Sequence, residues 1–103
     1  MSVSASTSED FSPHHTTLKH ASLIAMKQDK PIMLDYYSGS FHKQCKLVKT
    51  QDKDTILYKS QEEYTSPLQK LFKIDSSAQN GACDMIAISE NSIYLVHSNV
   101  MGN

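Results

Sequence analysis

The sequence predicts an α+β domain in which one N-terminal helix is followed by a small antiparallel, barrel-like sheet (SH3-like or similar) of about six short strands. Apolar residues recur at helical spacing before Pro31, β-prone runs follow one another closely after it, and turn-forming residues separate those runs. Closely spaced short strands favour a curled sheet, because closure pairs the strand edges that an open sheet would leave exposed.

A single helix is predicted over residues 15–28. Leu18, Ala21 and Ala25 fall on one stripe of such a helix, and the lysines of the same segment fall elsewhere. Pro31 ends the segment, because the residue before a proline avoids helical backbone angles. This pattern is typical of an amphipathic helix that packs one face on a sheet.

The β-prone runs all lie after the helix, within residues 31–98. The polar segments 51–54 and 89–92 suit hairpin turns, since each separates two such runs. Asn80 followed by Gly81 is a further strong turn signal. The predicted strands are residues 32–37, 45–49, 55–59, 68–74, 85–88 and 93–96.

The chain is predicted to form one domain with two tails. Residues 1–14 are rich in Ser and poor in apolar side chains, so burial could not offset the entropy lost on ordering them, and we expect a flexible arm. Residues 15–98 form the single small domain, and residues 99–103 form a short tail. A chain of 103 residues leaves no room for separate cofactor and substrate domains.

Composition disfavours several classes of protein. The ten basic residues are all Lys, eleven residues are Asp or Glu, and the formal net charge of −1 argues against non-specific binding to nucleic acid. No apolar run approaches the roughly 20 residues of a membrane helix, so we expect no membrane partner. The two cysteines and an N-terminus without a secretory pattern predict an intracellular, reducing compartment.

Aromatic and Lys side chains interleave along the predicted strands and form the candidate interaction surface. Residues 41–75 carry seven Lys against five acidic residues, whereas residues 76–103 carry two acidic residues and no Lys. This surface suits an unidentified protein partner, or self-association of the two oppositely charged ends. Aromatic rings beside Lys can also stack on bases, so a small-barrel protein that binds single-stranded nucleic acid is the alternative. The predicted surface comprises Tyr36, Tyr37, Phe41, Lys43, Lys46, Tyr58, Tyr64 and Lys70.

Metal and catalytic chemistry are not predicted. Four residues are of a type that binds zinc, but only His42 and Cys45 form a closely spaced pair, whereas strong zinc motifs contain two such pairs. The spacing therefore neither establishes nor excludes metal binding. The chain also lacks a Gly-x-Ser-x-Gly elbow, a His-Glu-x-x-His motif and a phosphate-binding glycine loop. We therefore expect no enzyme activity, no catalytic residues and no cofactor. The suitable ligands are His42, Cys45, Cys83 and His97.

Residues 25–37, together with His42-x-x-Cys45, resemble the opening of thioredoxin-like domains, in which a helix leads through Lys-Pro into a buried strand and a Cys-x-x-Cys pair. The resemblance implies a redox function, yet His42 stands where the attacking cysteine should be. A degenerate thioredoxin-like redox domain is the third interpretation, and an abnormally acidic Cys45 thiol would be its signature.

A second resemblance rests on the segments SQEEYTSPLQKLFK at residues 60–73, ISENSIYLV at 88–96 and DKPIMLDYY at 29–37. With these segments the chain resembles small uncharacterised β-rich proteins encoded by large DNA viruses, over residues 29–98. The resemblance implies a viral origin and a virion-associated or host-interacting role, with no catalytic residues. The sequence as a whole therefore predicts a non-enzymatic small interaction or structural protein.

Overall fold

The computed structural model describes residues 13–79 and 82–101. Most of the flexible arm predicted for residues 1–14 and the last two residues of the predicted tail lie outside this part of the chain. The turn predicted at Asn80 and Gly81 lies outside it as well.

Helix α1 spans His15–Gln28, which confirms the predicted helix. At its N-terminus, the Nδ1 atom of His14 accepts the Thr16 N–H at 3.1 Å and so satisfies a donor that has no partner within the helix. At its C-terminus, Asp29 adopts a left-handed backbone conformation with φ 56° and donates its N–H to the Ala25 carbonyl. A proline two residues later prevents the helix from continuing.

Seven strands form two sheets in the described part of the chain. The strands are β1 (Ile32–Met33), β2 (Lys46–Lys49), β3 (Thr55–Ser60), β4 (Glu63–Tyr64), β5 (Leu68–Gln79), β6 (Ala82–Ser89) and β7 (Ile93–His97). The central sheet has the order β1-β7-β6-β5, in which β1 runs parallel to β7 and the other pairs are antiparallel. The outer sheet has the antiparallel order β2-β3-β4. The β2–β3 and β6–β7 hairpins confirm the turns predicted at 51–54 and 89–92.

The central sheet is covered on both faces, and alternate residues of β6 point to the two sides. Ile86 packs with Ala21 of α1, whereas its neighbours Met85 and Ala87 pack with Leu57 of the outer sheet. The helix-side core comprises Ala21, Tyr37, Ile74, Ile86, Ile88, Ile93 and Leu95. The sheet-side core comprises Tyr36, Cys45, Leu57, Met85, Ala87, Val96 and Val100.

The prediction of a barrel-like sheet of six strands is wrong, because two open sheets with seven strands are present in the described residues. Strand β6 needs no closure, since β5 and β7 pair with its two edges, and α1 and the outer sheet cover the two faces of the central sheet. The strand that the sequence did not predict is β4, whose two residues are too few to show a periodic pattern.

The segment 32–37 does not form the continuous strand that its apolar residues predict. Strand β1 ends at Met33, and the short helix α2 (Tyr37–Phe41) follows a turn. Helix α2 covers the end of β7 without pairing with it as a strand, because the Ser40 Oγ atom accepts the His97 N–H at 2.8 Å. A side chain thus replaces a ladder hydrogen bond, which no local pattern of apolar residues could indicate.

The chain continues after β7 as a short helical turn. A 3₁₀ helix, Ser98–Met101, follows β7 and buries Val100 in the sheet-side core, so the chain remains packed on the domain beyond residue 98. Of the two helices and the 3₁₀ turn in the described ranges, none is long and apolar enough to cross a membrane.

Candidate recognition site

The outer sheet carries a row of three side chains that lie directly opposite one another on its three strands. Lys46 of β2 pairs with Tyr58 of β3, and Tyr58 pairs with Tyr64 of β4. The two tyrosine rings stack with their centroids 6.4 Å apart and an interplanar angle of 26°. Because directly opposite residues of antiparallel strands share a face, the three side chains form one continuous patch.

This row lies on the face of the outer sheet that is turned away from the core. The adjacent residues Leu47 and Leu57 point the other way and pack into the sheet-side core. Tyr64 is 58% exposed, and Val48 and Ile56 form a second, half-buried pair on the same face. The tyrosine face is defined as Lys46, Val48, Ile56, Tyr58 and Tyr64.

The reverse side of the outer sheet holds the tyrosine face in position. The Thr65 N–H donates to the Leu57 carbonyl at 2.9 Å, and the Thr65 hydroxyl oxygen accepts the Leu57 N–H at 3.0 Å. Lys59 Nζ lies 5.0 Å from the centroid of the Tyr36 ring and 3.8 Å from Glu63 Oε1. These contacts tie β3 to β4 and to the core beneath, so the stacked tyrosines are positioned by the fold itself.

The structure brings together three of the eight residues predicted for the interaction surface, namely Lys46, Tyr58 and Tyr64. Tyr36 and Tyr37 are 6% and 5% exposed, which removes them from the surface. The rings of these two residues fill the sheet-side core and the helix-side core, respectively. Aromatic residues have enough apolar area to serve either as surface contacts or as core, and sequence alone does not separate the two uses.

The other three predicted residues lie apart from the tyrosine face. Phe41 is half-buried with its ring centroid 4.9 Å from that of His97. Lys43 is exposed in the turn after α2, with a left-handed backbone at φ 63°. Lys70 is exposed on β5 opposite Ile88, which places it on the helix side of the central sheet.

A buried carboxylate, which the sequence analysis did not single out, joins α1 and α2 to the central sheet. Asp84 of β6 is 4% exposed. Its Oδ2 atom accepts the His14 N–H and the Thr17 hydroxyl at 2.7 Å each, and its Oδ1 atom accepts the Tyr37 hydroxyl at 2.6 Å. We call Asp84, Thr17, Tyr37 and the His14 N–H the Asp84 clamp. The sequence does contain a signal for this cluster, because Asp84 directly precedes the apolar run that begins at Met85. A carboxylate in a buried strand needs hydrogen-bond partners, so its position indicates a buried polar contact.

Histidine 97 lies beside the Asp84 clamp, directly opposite Asp84 in the β6–β7 register. Its Nδ1 atom accepts the Asn99 N–H at 3.0 Å, which suits a neutral ring. Burial lowers the pKa of His97, and the Asp84 carboxylate opposes this effect in part. Burial also raises the pKa of Tyr37, with the hydrogen bond to Asp84 acting in the same direction. Histidine, tyrosine and carboxylate can serve acid–base chemistry, but the contacts of Asp84 with α1 and α2 make this cluster an internal attachment point.

The thiol predicted as a redox candidate is fully buried. Cys45 has 0% exposure, and burial raises its pKa to about 11 even though Lys59 acts in the opposite direction. A redox-active cysteine needs a lowered thiol pKa, so the environment of Cys45 opposes the thioredoxin-like interpretation. His42 also directly follows the last residue of α2, whereas the first position of a Cys-x-x-Cys pair belongs at the start of a helix.

The four residues of suitable ligand type for zinc do not form a cluster in the described part of the chain. Within residues 13–79 and 82–101, no group of three or more His, Cys, Asp or Glu side chains is arranged to hold a metal ion. Cys45 lies in the sheet-side core, whereas His97 lies on the helix side of β7.

No protein family, curated protein or solved structure matches the chain. The class of protein is defined by its own architecture: a three-layer α+β domain in which helix α1 and an outer sheet with two stacked tyrosines cover the two faces of an open central sheet. The similarity to β-rich proteins of large DNA viruses stays a prediction.

Proposed function

We propose that the protein is a non-enzymatic interaction domain that binds a protein partner through the tyrosine face. The observation that carries this proposal is the cross-strand row of Lys46, Tyr58 and Tyr64 on a sheet whose other side packs on the core. Lys46 and Tyr64 are exposed, and Tyr58 between them is half-buried. Tyr is enriched in protein interfaces because its large ring has few rotatable bonds and its hydroxyl still forms hydrogen bonds.

The tyrosine face is preorganised for binding by contacts within the outer sheet. Thr65 and Lys59 fix β3 and β4 from behind, and stacking restricts the rings of Tyr58 and Tyr64. A partner that docks on these rings therefore loses less free energy to side-chain ordering than it would on mobile side chains. The half-buried Val48 extends the apolar area, so the patch offers more than two isolated rings.

Binding of single-stranded nucleic acid is the second candidate, and the same row of side chains favours it. A base could stack on the exposed Tyr64 while Lys46 attracts a phosphate. Charge disfavours this candidate relative to a protein partner: Glu62 and Glu63 are exposed beside the tyrosines, and Lys59 is already within 3.8 Å of Glu63. Because residues 29–98 resemble viral β-rich proteins, the proposed protein partner is a virion component or a host protein.

The test places a photo-crosslinking amino acid at Ser60, which is exposed and lies two residues after Tyr58 at the end of β3. The matched control carries the crosslinker at Lys70, which is exposed on the other side of the molecule. We expect a discrete protein adduct from position 60 and none from position 70, and loss of the adduct when Tyr58→Ala and Tyr64→Ala are added. Equal labelling from both positions would contradict the proposal.

A fluorescence anisotropy titration with a labelled single-stranded oligonucleotide separates the two candidates. A flat signal at low salt agrees with a protein partner. Salt-sensitive binding that is lost in Lys46→Ala and Tyr64→Ala would replace the protein partner with nucleic acid.

A further inference from the structure

A second apolar surface lies on the far side of the molecule, on the exposed face of α1. Leu23 and Met26 are 55% and 80% exposed, and they border an open groove of about 440 Å³. We call this feature the helix groove. The residues that line it are His20, Leu23, Ile24, Met26 and Lys27.

The fold does not need Leu23 and Met26 for its own core, whereas Ile24, which also lines the groove, packs against the helix-side core. Helix α1 packs on the central sheet through a different stripe that includes Leu18, Ala21 and Ala25. Leu23 and Met26 are three residues apart and therefore lie side by side on the helix surface. One exposed apolar residue is ordinary on a protein surface, but adjacent Leu and Met side chains beside a groove form a contiguous patch of the kind found at binding sites.

The described lining of the helix groove includes a lysine and no carboxylate, although the exposed Asp29 follows the end of α1. Helix α1 contains Lys19 and Lys27 and no acidic residue, and Lys27 and His20 line the groove itself. A partner with carboxylates beside its apolar contact would complement this charge. A second copy docked through the same groove would instead bring Lys27 of both molecules into one interface without a carboxylate from the described lining, because a two-fold interface uses the same patch on both molecules.

We propose that the helix groove binds an acidic amphipathic segment of another protein, with an apolar side chain of that segment seated against Leu23 and Met26 and its carboxylates near Lys27 and His20. Met suits such a site because its unbranched side chain adapts to the shape of the incoming group. A membrane surface fits less well, since interfacial helices present a broad apolar face with several large residues, whereas here two exposed residues border a concavity.

This site is independent of the tyrosine face. Helix α1 covers one face of the central sheet and the outer sheet covers the other, so the two surfaces point in opposite directions. A protein with both sites occupied would connect two partners, which extends the proposed function from binding to bridging.

The test selects binders from a displayed library of random peptides, with the complete chain as the target. We expect the selected peptides to combine large apolar residues with Asp or Glu. Binding of the best synthetic peptide should weaken by about tenfold or more in the Leu23→Ser/Met26→Ser variant, less in Lys27→Glu, and not at all in Tyr64→Ala. Ser22→Ala, at an exposed position of the same helix, is the matched control.

The outcomes that overturn the proposal are distinct. Selection of no peptide, selection of peptides without acidic residues, or binding that ignores the Leu23→Ser/Met26→Ser change would each overturn it. Cosedimentation with phosphatidylserine vesicles that this variant abolishes would assign the groove to a lipid surface. A concentration-dependent dimer that the variant abolishes would assign it to a second copy. Thermal unfolding of each variant confirms that the fold is retained, which is expected because both residues are exposed.

Discussion

The two layers that cover the central sheet are attached by different physical interactions. On the helix side, the Asp84 clamp ties α1 and α2 to β6 through hydrogen bonds to a buried carboxylate. On the other side, the outer sheet is held by apolar packing around Leu57, with hydrogen bonds from Thr65 within that layer. Hydrogen bonds to a buried charge require defined geometry and depend on protonation, whereas apolar packing depends mainly on volume. The attachment of the helix layer should therefore weaken when a single polar atom is removed or protonated. The attachment of the outer layer should weaken when the volume of a buried side chain changes.

The largest effect is expected from Asp84→Ala. This substitution leaves buried donors from Thr17 and Tyr37 without their acceptor, and we expect a loss of about 3–5 kcal/mol in the free energy of unfolding, measured by urea denaturation. Asp84→Asn is the control that preserves volume, and it should cost less because its amide keeps one acceptor oxygen. If Asp84→Ala cost no more than Asp84→Asn, the clamp would not hold the helix layer.

A smaller loss is expected from Leu57→Ala in the sheet-side core. Leu57 is 0% exposed, and truncation of a buried Leu leaves a cavity that costs about 3 kcal/mol. Leu34→Ala is the matched control, because Leu34 is 50% exposed and its truncation should change stability by about 0.5 kcal/mol or less. The same urea series measures both variants, and equal losses would place Leu57 outside the packed core.

The next effect depends on pH and belongs to the helix side. Burial lowers the pKa of His97, so the unfolded chain takes up a proton before the folded chain does. Stability should therefore decrease as the pH falls below about 6.5, the ordinary value for His, and should stop decreasing once the pH is below the folded-state pKa. Urea midpoints measured across this range in the wild type and in His97→Gln test the prediction. The variant should show a shallower decrease, and an unchanged slope would assign the effect to other histidines.

The remaining pH-dependent effect belongs to the sheet side and appears in alkali. Burial raises the pKa of Cys45 from 9.0 to about 11, so the unfolded thiol loses its proton first and this contribution to stability is lost as the pH rises through that interval. At neutral pH the same burial should protect Cys45 from iodoacetamide, whereas the half-exposed Cys83 should react. Mass spectrometry of the alkylated native protein measures both thiols. If Cys45 were alkylated as fast as Cys83, the sheet-side core would not exclude the reagent from Cys45, which would contradict the prediction.

Some elements were predictable because their patterns are local. Residues 15–28 show helical periodicity with a proline after it, and the hairpins at β2–β3 and β6–β7 show apolar runs around polar turns. Tyr58, Tyr64 and Lys46 belong to the predicted interaction surface, but nothing local in the sequence shows that they share one row across three strands. Helix α2 and strand β4 escaped prediction because each depends on contacts with distant strands.

The sequence by itself determined the α+β class, the helix and most strands, because periodicity and turn chemistry act over a few residues. Tertiary structure decided which aromatic rings are exposed, since Tyr36 and Tyr37 have the same side chain as Tyr64 and differ only in what covers them. It also decided that the sheets stay open and that Asp84 meets Thr17 across 67 positions of the chain. Pairing of strands and burial of a charge depend on free energies summed over residues that are far apart in sequence.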